Sequence, residues 1–554
     1  MRYLFTITSW VFLFNSIATN TLVAQTPNII LGRPTDTSMT ANIIFDQNVQ
    51  YYFEYGKQKG VYTNQTATFT NQANTPDEVD MRNLTGNTRY YYRVRYKLPN
   101  ATTFATSPEY YFQTQRAAGS TFRFIVNADE HLYDKKGYRP MYQVTLANHA
   151  KDSADFMISL GDTFGDDHDS LTMTSATSEA YHKDYRQYLG AICHSMPFYF
   201  CLGNHEGEIG SWLGRNAPNN MAVYGTLWRK YYYPNPFPNT FYSGNMVEEA
   251  YGMGKPENYY AWTWGDALFV VLDVYRHCDI NDKPQNWDWT LGKTQYDWLK
   301  NTLTTSTAKQ KFVFCHHTRG QGRGGAVTAK GYEWGGYGGT GATNYQFDTY
   351  RPGWGKPIHQ LMKDNGVKIF FQGHDHLYAK EVVDGIVYQE TPMPADSSYQ
   401  IGVLANADAY TDVTKDGTGH LRVTVSPTCV TVDFVRAYLP KDTLTGLHKN
   451  REIGHTYNVG TFCTTANEEV QEGKNFVVYP NPAKDVLTVE APFTIGQNRT
   501  VELVNMQGQV VQTQVLAADN TVCHFDLTTV PSSFYMVKWF DEQRPHAIKV
   551  AVMR

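Results

Sequence analysis

Between residues 120 and 440, short runs of consecutive apolar residues alternate with polar stretches of helical length. FRFIVNADEH (122–131), DFMISLGD (155–162), PFYFCLGNHE (197–206), KFVFCHH (311–317) and VKIFFQGHDH (367–376) read as strands buried on both faces. PMYQVTLANHAKDS, EAYHKDYRQYLGAI and TQYDWLKNTLTTS between them are compatible with helices, so the pattern predicts a layered α/β domain. Two long insertions interrupt it, 207–260 and the Gly-dense 320–355 with Trp334, Tyr337 and Trp354, and both read as irregular rims or lids.

The two ends of the chain alternate with period two instead. In LTGNTRYYYRVRYK, Tyr90, Tyr92, Val94 and Tyr96 share one face while Arg89, Arg93 and Arg95 lie on or near the other, and residues 27–115 have the size of a seven-stranded β-sandwich. After a polar linker at 441–472, VVYPNPAKDVLTVE, VELVNMQGQVVQTQ, FYMVKWF and HAIKVAV predict a small β-sandwich over 473–554. The fold class is therefore multi-domain: a β-sandwich, a central α/β domain over 120–440, and a second small β-sandwich. Ahead of these, Met1 and Arg2, the apolar stretch Leu4 to Ile17 and the small-residue end at Leu22-Val23-Ala24 read as a signal peptide over 1–24. That stretch is too short for a hydrocarbon core of about 30 Å, and no later segment is apolar enough to span, so no transmembrane segment is expected after cleavage.

A length of 554 residues fits about three or four folding units, and 42% hydrophobic with 18% charged residues fits a folded chain. With a net charge of -5 there is no basic face for a polyanion, so no nucleic-acid partner is expected and any phosphate recognition is local. The seven Cys are scattered without CxxC spacing; no disulfide framework is implied, and Cys201 and Cys315 inside the apolar runs read as small buried hydrophobes.

The strand-like runs end on Asp129 and His131, Asp162, Asn204 and His205, His316, and His374 and His376. Strands that empty into polar residues build sites at the carboxyl edge of an open sheet. Carboxylate and imidazole suit divalent ions of the Mn, Fe and Zn group, and one shared carboxylate can hold two ions about 3.5–4 Å apart for metal-assisted attack on a phosphate ester. Asp273, ending ALFVVLD at another strand terminus, reads as supporting or structural.

This ordered set resembles the calcineurin-like metallophosphoesterase superfamily over about 120–440. The resemblance implies a four-layer α/β sandwich with two divalent ions (Mn, Fe or Zn). One would be held by Asp129, His131, Asp162 and His376, the other by Asp162, Asn204, His316 and His374, with Asp162 as bridge. A hydroxide between the ions would attack the ester, and His205, with Asn204 on the substrate side, would protonate the leaving alkoxide. His316 is taken over His317 by register, Thr318 standing where the family commonly has proline. Arg319 and Arg323 are candidate phosphate clamps, with a surface loop as the alternative.

The N-terminal segment resembles a fibronectin type III domain, with Leu84, Thr88 and Tyr90 at its corner motif and Gly86 in place of the usual proline. A similar sandwich precedes the catalytic domain of purple acid phosphatases, and its reading here is spacer or packing partner. Those enzymes carry a Tyr ligand where Gly165 stands and a Gly where His131 stands, so a colourless divalent centre is expected. Asp166, Asp167, His168 and Asp169 read as a solvated turn. The C-terminal segment resembles the sorting domain of bacterial type IX secretion through YPNP, Asp485 and Gln507-Gly508, although Ser533-Phe534-Tyr535 lacks the usual glycine. These resemblances imply a secreted or cell-surface phosphomonoesterase acting on a small phosphorylated substrate, with the type IX machinery as partner. The alternatives are a phosphodiesterase or nucleotide hydrolase on the same centre, and a surface adhesion or glycan-binding protein with an inactive fold. A dedicated 5'-nucleotidase is disfavoured, because the C-terminal segment does not look like a substrate domain.

Overall fold

The computed structural model describes residues 27–553 apart from 135, 165–171, 279–284, 319–323, 327, 340, 406, 461–475, 492–497, 507, 519 and 542–543. The signal-peptide reading, Arg319, Arg323, Gly165 and the acidic run after it lie outside the described residues. The chain divides into two compact units, 1–463 and 464–554.

In the larger unit, the apolar runs become β1 (Phe122–Asn127), β2 (Phe156–Ser159) and β3 (Phe198–Phe200), joined by α1 (Arg139–His149) and α2 (Ser175–Gly190). Further along come α3 (Met221–Tyr232), β4 (Tyr260–Trp264), β5 (Ala267–Val271), α4 (Gly292–Thr305), β6 (Gln310–Phe314), β7 (Ile369–Gln372), β8 (Tyr378–Val383) and β9 (Ile386–Glu390). β10 (Thr418–Val425), β11 (Cys429–Ala437) and β12 (Ile453–Gly460) follow.

Two sheets result. One runs β3-β2-β1-β10-β11-β12, with β1, β2 and β3 parallel. The other is eight-stranded and contains the order β4-β5-β6-β7-β9-β8, with β5, β6, β7 and β9 parallel. The sheets meet face to face through aromatic rings: Phe124 of β1 lies 5.1 Å from Phe269 of β5 and 5.7 Å from Phe312 of β6, centroid to centroid. On its outer face the first sheet packs Ile125, Met157 and Phe198 against Tyr142, Leu146, Tyr185 and Leu189 of α1 and α2. The second packs Val270, Val313 and Phe370 against Leu299 and Leu303 of α4 and Ile358 and Leu361 of a short helix. Helices therefore cover both outer faces of the paired sheets, which buries each parallel strand on two sides and explains the unbroken apolar runs.

Two sequence expectations change. Residues 453–460, placed in the linker, form the edge strand β12, paired with β11; its exposure alternates, so half its side chains are polar and it lacks an apolar signature. The 207–260 insertion is not irregular throughout, since α3 occupies its centre, capped by the Asn220 side chain accepting from the Val223 N–H (3.1 Å). Mid-helix Gly225 and the aromatic residues around it hid that helix.

Residues 27–115 form a three-stranded and a six-stranded sheet around a shared core of Ile29, Leu31, Tyr51, Phe53, Tyr92 and Val94, among others. Arg186 of α2 fastens them to the central domain. Its guanidinium is buried and donates to Asn42 Oδ1 (2.5 Å), Asn42 O (3.0 Å), Asn28 O (3.2 Å) and Tyr232 O. Separately, residues 464–554 contain a three- and a four-stranded sheet around a core including Leu487, Val501, Phe525 and Trp539. Cys193, Cys201, Cys278, Cys315 and Cys523 are free and buried, whereas Cys429 is disulfide-bonded.

One buried group makes stability pH-dependent. His149 ends α1, and neither of its ring nitrogens meets a hydrogen-bond partner among the described residues. Burial, with the His420 ring 4.2 Å away, holds its pKa well below the usual value. Asp152, which accepts from His420 Nε2 (2.6 Å) and is shared with Arg422 and Arg451, offsets only part of this. A depressed histidine pKa means that the unfolded chain takes up the proton first, so stability is full above about pH 6.5 and falls with acid at about 1.4 kcal/mol per pH unit. His149→Leu should flatten the acid limb of the larger unit's unfolding curve by about one such slope, while near pH 7 its stability stays within roughly 1 kcal/mol of wild type.

Candidate metal centre

The run-ending residues converge at the carboxyl edges of the parallel strands. Asp129 and His131 follow β1, Asp162 follows β2, Asn204 and His205 open a single 3-10 turn after β3, His316 follows β6, and His374 and His376 follow β7. Five of them take left-handed backbone conformations: Asp129 (φ 63°), His131 (46°), Asp162 (61°), His374 (84°) and His376 (64°). Such residues cost about 1–3 kcal/mol each and persist where the surroundings fix them.

The surroundings are hydrogen bonds between loops. Asp129 N donates to Gly161 O (2.8 Å), His131 N to Asp162 O (3.1 Å) and Gly373 N to His316 O (2.8 Å). The carboxylates also act as backbone acceptors: His374 N donates to Asp129 Oδ2 (3.0 Å) and His205 N to Asp162 Oδ1 (2.9 Å). This closeness requires glycine at two positions. A Cβ on Gly203 would stand 2.2 Å from Asp162 Oδ1, and one on Gly373 2.6 Å from Asp129 Oδ2.

Two ligand groups emerge, Asp129 with His131 and His376, and Asp162 with His316 and His374, the donor atoms of each lying within 4.8 Å of one another. Asp162 Oδ2 lies between them, 3.1 Å from His316 Nε2 and 3.8 Å from His131 Nε2. His316 Nδ1 donates to Leu160 O (2.9 Å) and His376 Nδ1 to Leu404 O (3.0 Å), while His131 Nδ1 meets Asp134 Oδ2 (2.7 Å). With Nδ1 committed to these acceptors, each ring presents its Nε2 lone pair inward in the deprotonated form that binds metal. His131 and His376 face each other, Nε2 to Nε2, at 2.9 Å, a spacing that a proton on His131 or one shared cation accommodates.

The electrostatics agree with a cation site. Burial opposes charge on His131, yet Asp129 and Asp134 overcome it and hold its pKa at about 10; against the same burial, Asp162 holds His316 at about 9. The donor set of two carboxylates and four imidazoles, four of the six residues buried and His374 and His376 partly so, fits divalent ions. A third grouping of His131, Asp134 and His205 is better read as support, because at 2.7 Å from Nδ1 the Asp134 carboxylate orients His131 and leaves Nε2 for the metal side.

His205 stands at the rim, its ring edge-on to His131 (centroids 4.7 Å, 85°), with Nε2 3.9 Å from Asp162 Oδ2. Asn204 is buried, its Oδ1 3.5 Å from the Tyr275 hydroxyl. His316 lies in the Asp162 group, whereas Nε2 of the adjacent His317 faces Gly324 O (3.1 Å). Asp273 accepts from Asn258 Nδ2 (2.6 Å) and Tyr275 N (2.7 Å), fixing the turn after β5.

Three contributors escaped the sequence reading. Asp134 follows His131 by three residues, a spacing with no meaning until the loop's turn is known. Glu206 accepts from Gly203 N (2.5 Å), Asp162 N (2.9 Å) and Thr163 N (2.8 Å), tying the Asp162 loop to the Asn204 turn. Burial, with Asp162 nearby, pushes the Glu206 pKa up to about 7. Tyr275, beside Asn204, has its ring centroid 6.2 Å from that of His316.

The Asp134 contact predicts that Asp134→Asn lowers metal affinity roughly 10–100-fold, measured by titration of the metal-stripped protein, without unfolding it. Unchanged affinity would remove Asp134 from this role.

Comparison with known proteins agrees with this geometry. Residues 122–378 match the calcineurin-like phosphoesterase family and 477–553 the secretion system C-terminal sorting domain. A solved structure of PhoD aligns with a TM-score of 0.56 at 16% identity, covering 80% of this chain and 93% of that one, which supports the fold. A putative 5'-nucleotidase from Staphylococcus aureus aligns with a TM-score of 0.31 at 15% identity over 64% of this chain and 56% of that one. No curated protein matches the chain. Ligand-bearing strand ends and family match coincide over one segment, and the chain accordingly carries a calcineurin-like phosphoesterase domain, a phosphoric ester hydrolase, over residues 122–378.

Proposed function

We propose that the protein hydrolyses phosphate monoesters at a dinuclear centre. Asp129, His131, Asp162 and His376 hold one divalent ion, Asp162, Asn204, His316 and His374 hold the other, and Asp162 bridges them. The observation that carries this reading is the position of Asp162 Oδ2 between the two histidine groups. Bound Mn, Fe or Zn ions supply an activated nucleophile at neutral pH and neutralise charge on the phosphoryl oxygens.

The chain's own residues do the rest. The Asp134, Leu160 and Leu404 acceptors keep three imidazoles in the tautomer that presents Nε2. His205 has its backbone N–H bound to Asp162 Oδ1, which places its ring beside the first ligand group without making it a member. From there it donates a proton to the leaving alkoxide, a step typically worth 10²–10⁴ in rate. Arg319 and Arg323 complete the proposal as phosphate clamps.

Residues 1–24 and the sorting domain make this an exported enzyme, secreted or held at the cell surface by way of type IX secretion, with 27–115 as a fibronectin III-like packing partner. The Arg186 anchor supports that last role, because it joins the sandwich to α2 rather than to the metal centre.

Metal content assayed together with hydrolysis of p-nitrophenyl phosphate and bis-p-nitrophenyl phosphate tests the reading. Two metals per chain and faster cleavage of the monoester are expected; preference for the bis-ester would favour a phosphodiesterase, and no turnover an inactive surface protein. Asp162→Ala should lose metal from both sites. His205→Ala should keep its metals and lose roughly 10²–10⁴ in kcat on alkyl esters, with a smaller loss on p-nitrophenyl phosphate, whose leaving group needs little protonation.

Deleting 464–554 removes none of the proposed ligands. The truncated enzyme should keep its metals and specific activity and accumulate in the periplasm, as cell fractionation would show.

A further inference from the structure

An open cavity of about 430 Å³ lies beside the ligand loops, its lining including Leu132, Tyr133, Gly137, Tyr138, Arg139 and Tyr181. Its volume falls within the roughly 300–1,000 Å³ of small-molecule sites. In an α/β sheet the first turn of a crossover helix stands at the carboxyl edge of the strand before it, the edge where ligands bind. Arg139 opens α1 and Tyr181 lies in the second turn of α2, so the cavity sits at the edge that carries the metal centre.

Covalent and packing continuity bring it closer. Leu132 directly follows His131, Tyr133 directly precedes Asp134, and Gly137 N donates to His131 O (2.8 Å). The Tyr133 ring stacks against Phe164, two residues beyond Asp162 (6.1 Å, 25°).

Three tyrosines contribute to the lining. Tyr133 and Tyr181 stack at 4.5 Å and 26°, Tyr138 is 47% exposed, and the Arg139 guanidinium lies 5.2 Å from the Tyr133 ring centroid. Arg139 is already paired with Asp184 (2.7 Å), so the cavity offers no uncompensated cation to an anion. Tyr133 is covered by Tyr181 and Arg139, so what the cavity presents is exposed Tyr138 and the face of Tyr181 turned away from Tyr133, edged by a guanidinium, a surface for an aromatic ring.

We propose that this cavity receives an aromatic ring carried by the leaving group, making the preferred substrates aryl-bearing phosphate monoesters. The inference rests on the monoester reading above and adds the substrate class. The phosphate sits at the metals, and the remainder of the ester extends past the His131 loop toward Tyr181 and Tyr138.

Two non-hydrolysable probes, phenylphosphonate and methylphosphonate, titrated calorimetrically into the metal-loaded full chain, test it. Wild type should bind the phenyl compound more tightly. Tyr181→Ala should weaken phenylphosphonate roughly 3–10-fold and leave methylphosphonate unchanged, while Tyr181→Phe, which keeps the ring, should retain the preference. The unchanged methylphosphonate affinity also shows that the variant is folded. Equal loss for both probes, loss for neither, or a Tyr181→Phe that behaves like Tyr181→Ala would overturn the proposal. A wild type that cleaves neither phenyl phosphate nor glycerol phosphate fails the monoester reading instead, and the phosphonate pair still decides the cavity.

Discussion

The two buried carboxylates at the strand ends have a double task on which the rest of the site depends. Asp162 accepts the His205 backbone N–H through Oδ1 while Oδ2 faces His316, and Asp129 accepts the His374 N–H while Oδ1 lies 3.6 Å from His376 Nε2. The charge that would face a metal ion is therefore the charge that binds the neighbouring loop. Left-handed turns, glycines at 203 and 373, and the buried Glu206 follow from this requirement, since each lets a backbone N–H approach an acidic oxygen that would otherwise be fenced off by a Cβ or by water. The strain at five such residues is maintained by two stacked sheets whose aromatic interior leaves the strand ends little freedom.

The strands and their terminal residues were legible in the sequence for one reason: a parallel strand covered on both faces reads as a continuous apolar run, and its polar end marks the sheet edge. Asp129, His131, Asp162, His316, His374 and His376 are visible by that logic and stand together in the structure. Asp134 and Glu206 were not, because their partners come from reversals of direction that no periodicity encodes. β12 was missed because an edge strand with one exposed face carries polar residues at alternate positions, and the sequence GHTYNVG resembles a linker until β11 supplies its partner. α3 was missed because helical propensity is low around Gly225, whereas tertiary burial of Met221, Val223 and Arg229 holds it in place.

Arg186 shows how the first domain is attached. Its two terminal nitrogens donate to three main-chain carbonyls and one amide oxygen while Nε has no partner among the described residues, and burial draws the pKa down to about 10, still far above neutrality. Carbonyls do not change with side-chain identity, so apart from Asn42 the joint depends on the arginine, whose fork matches several acceptors at once, more than on the side chains it meets.

The five buried free thiols have a consequence for the protein's travel. A chain bearing an export sorting domain passes through compartments that oxidise exposed cysteines. Within the folded units Cys193, Cys201, Cys278 and Cys315 have no solvent exposure, and burial pushes the Cys193 and Cys315 thiols up and away from the reactive thiolate. Protection thus arrives only with folding, and a β-rich topology with many contacts between distant residues closes slowly. Thiols sealed in the folded units are open to an oxidant only while the chain is unfolded, so it is folding, not the thiol chemistry, that guards them.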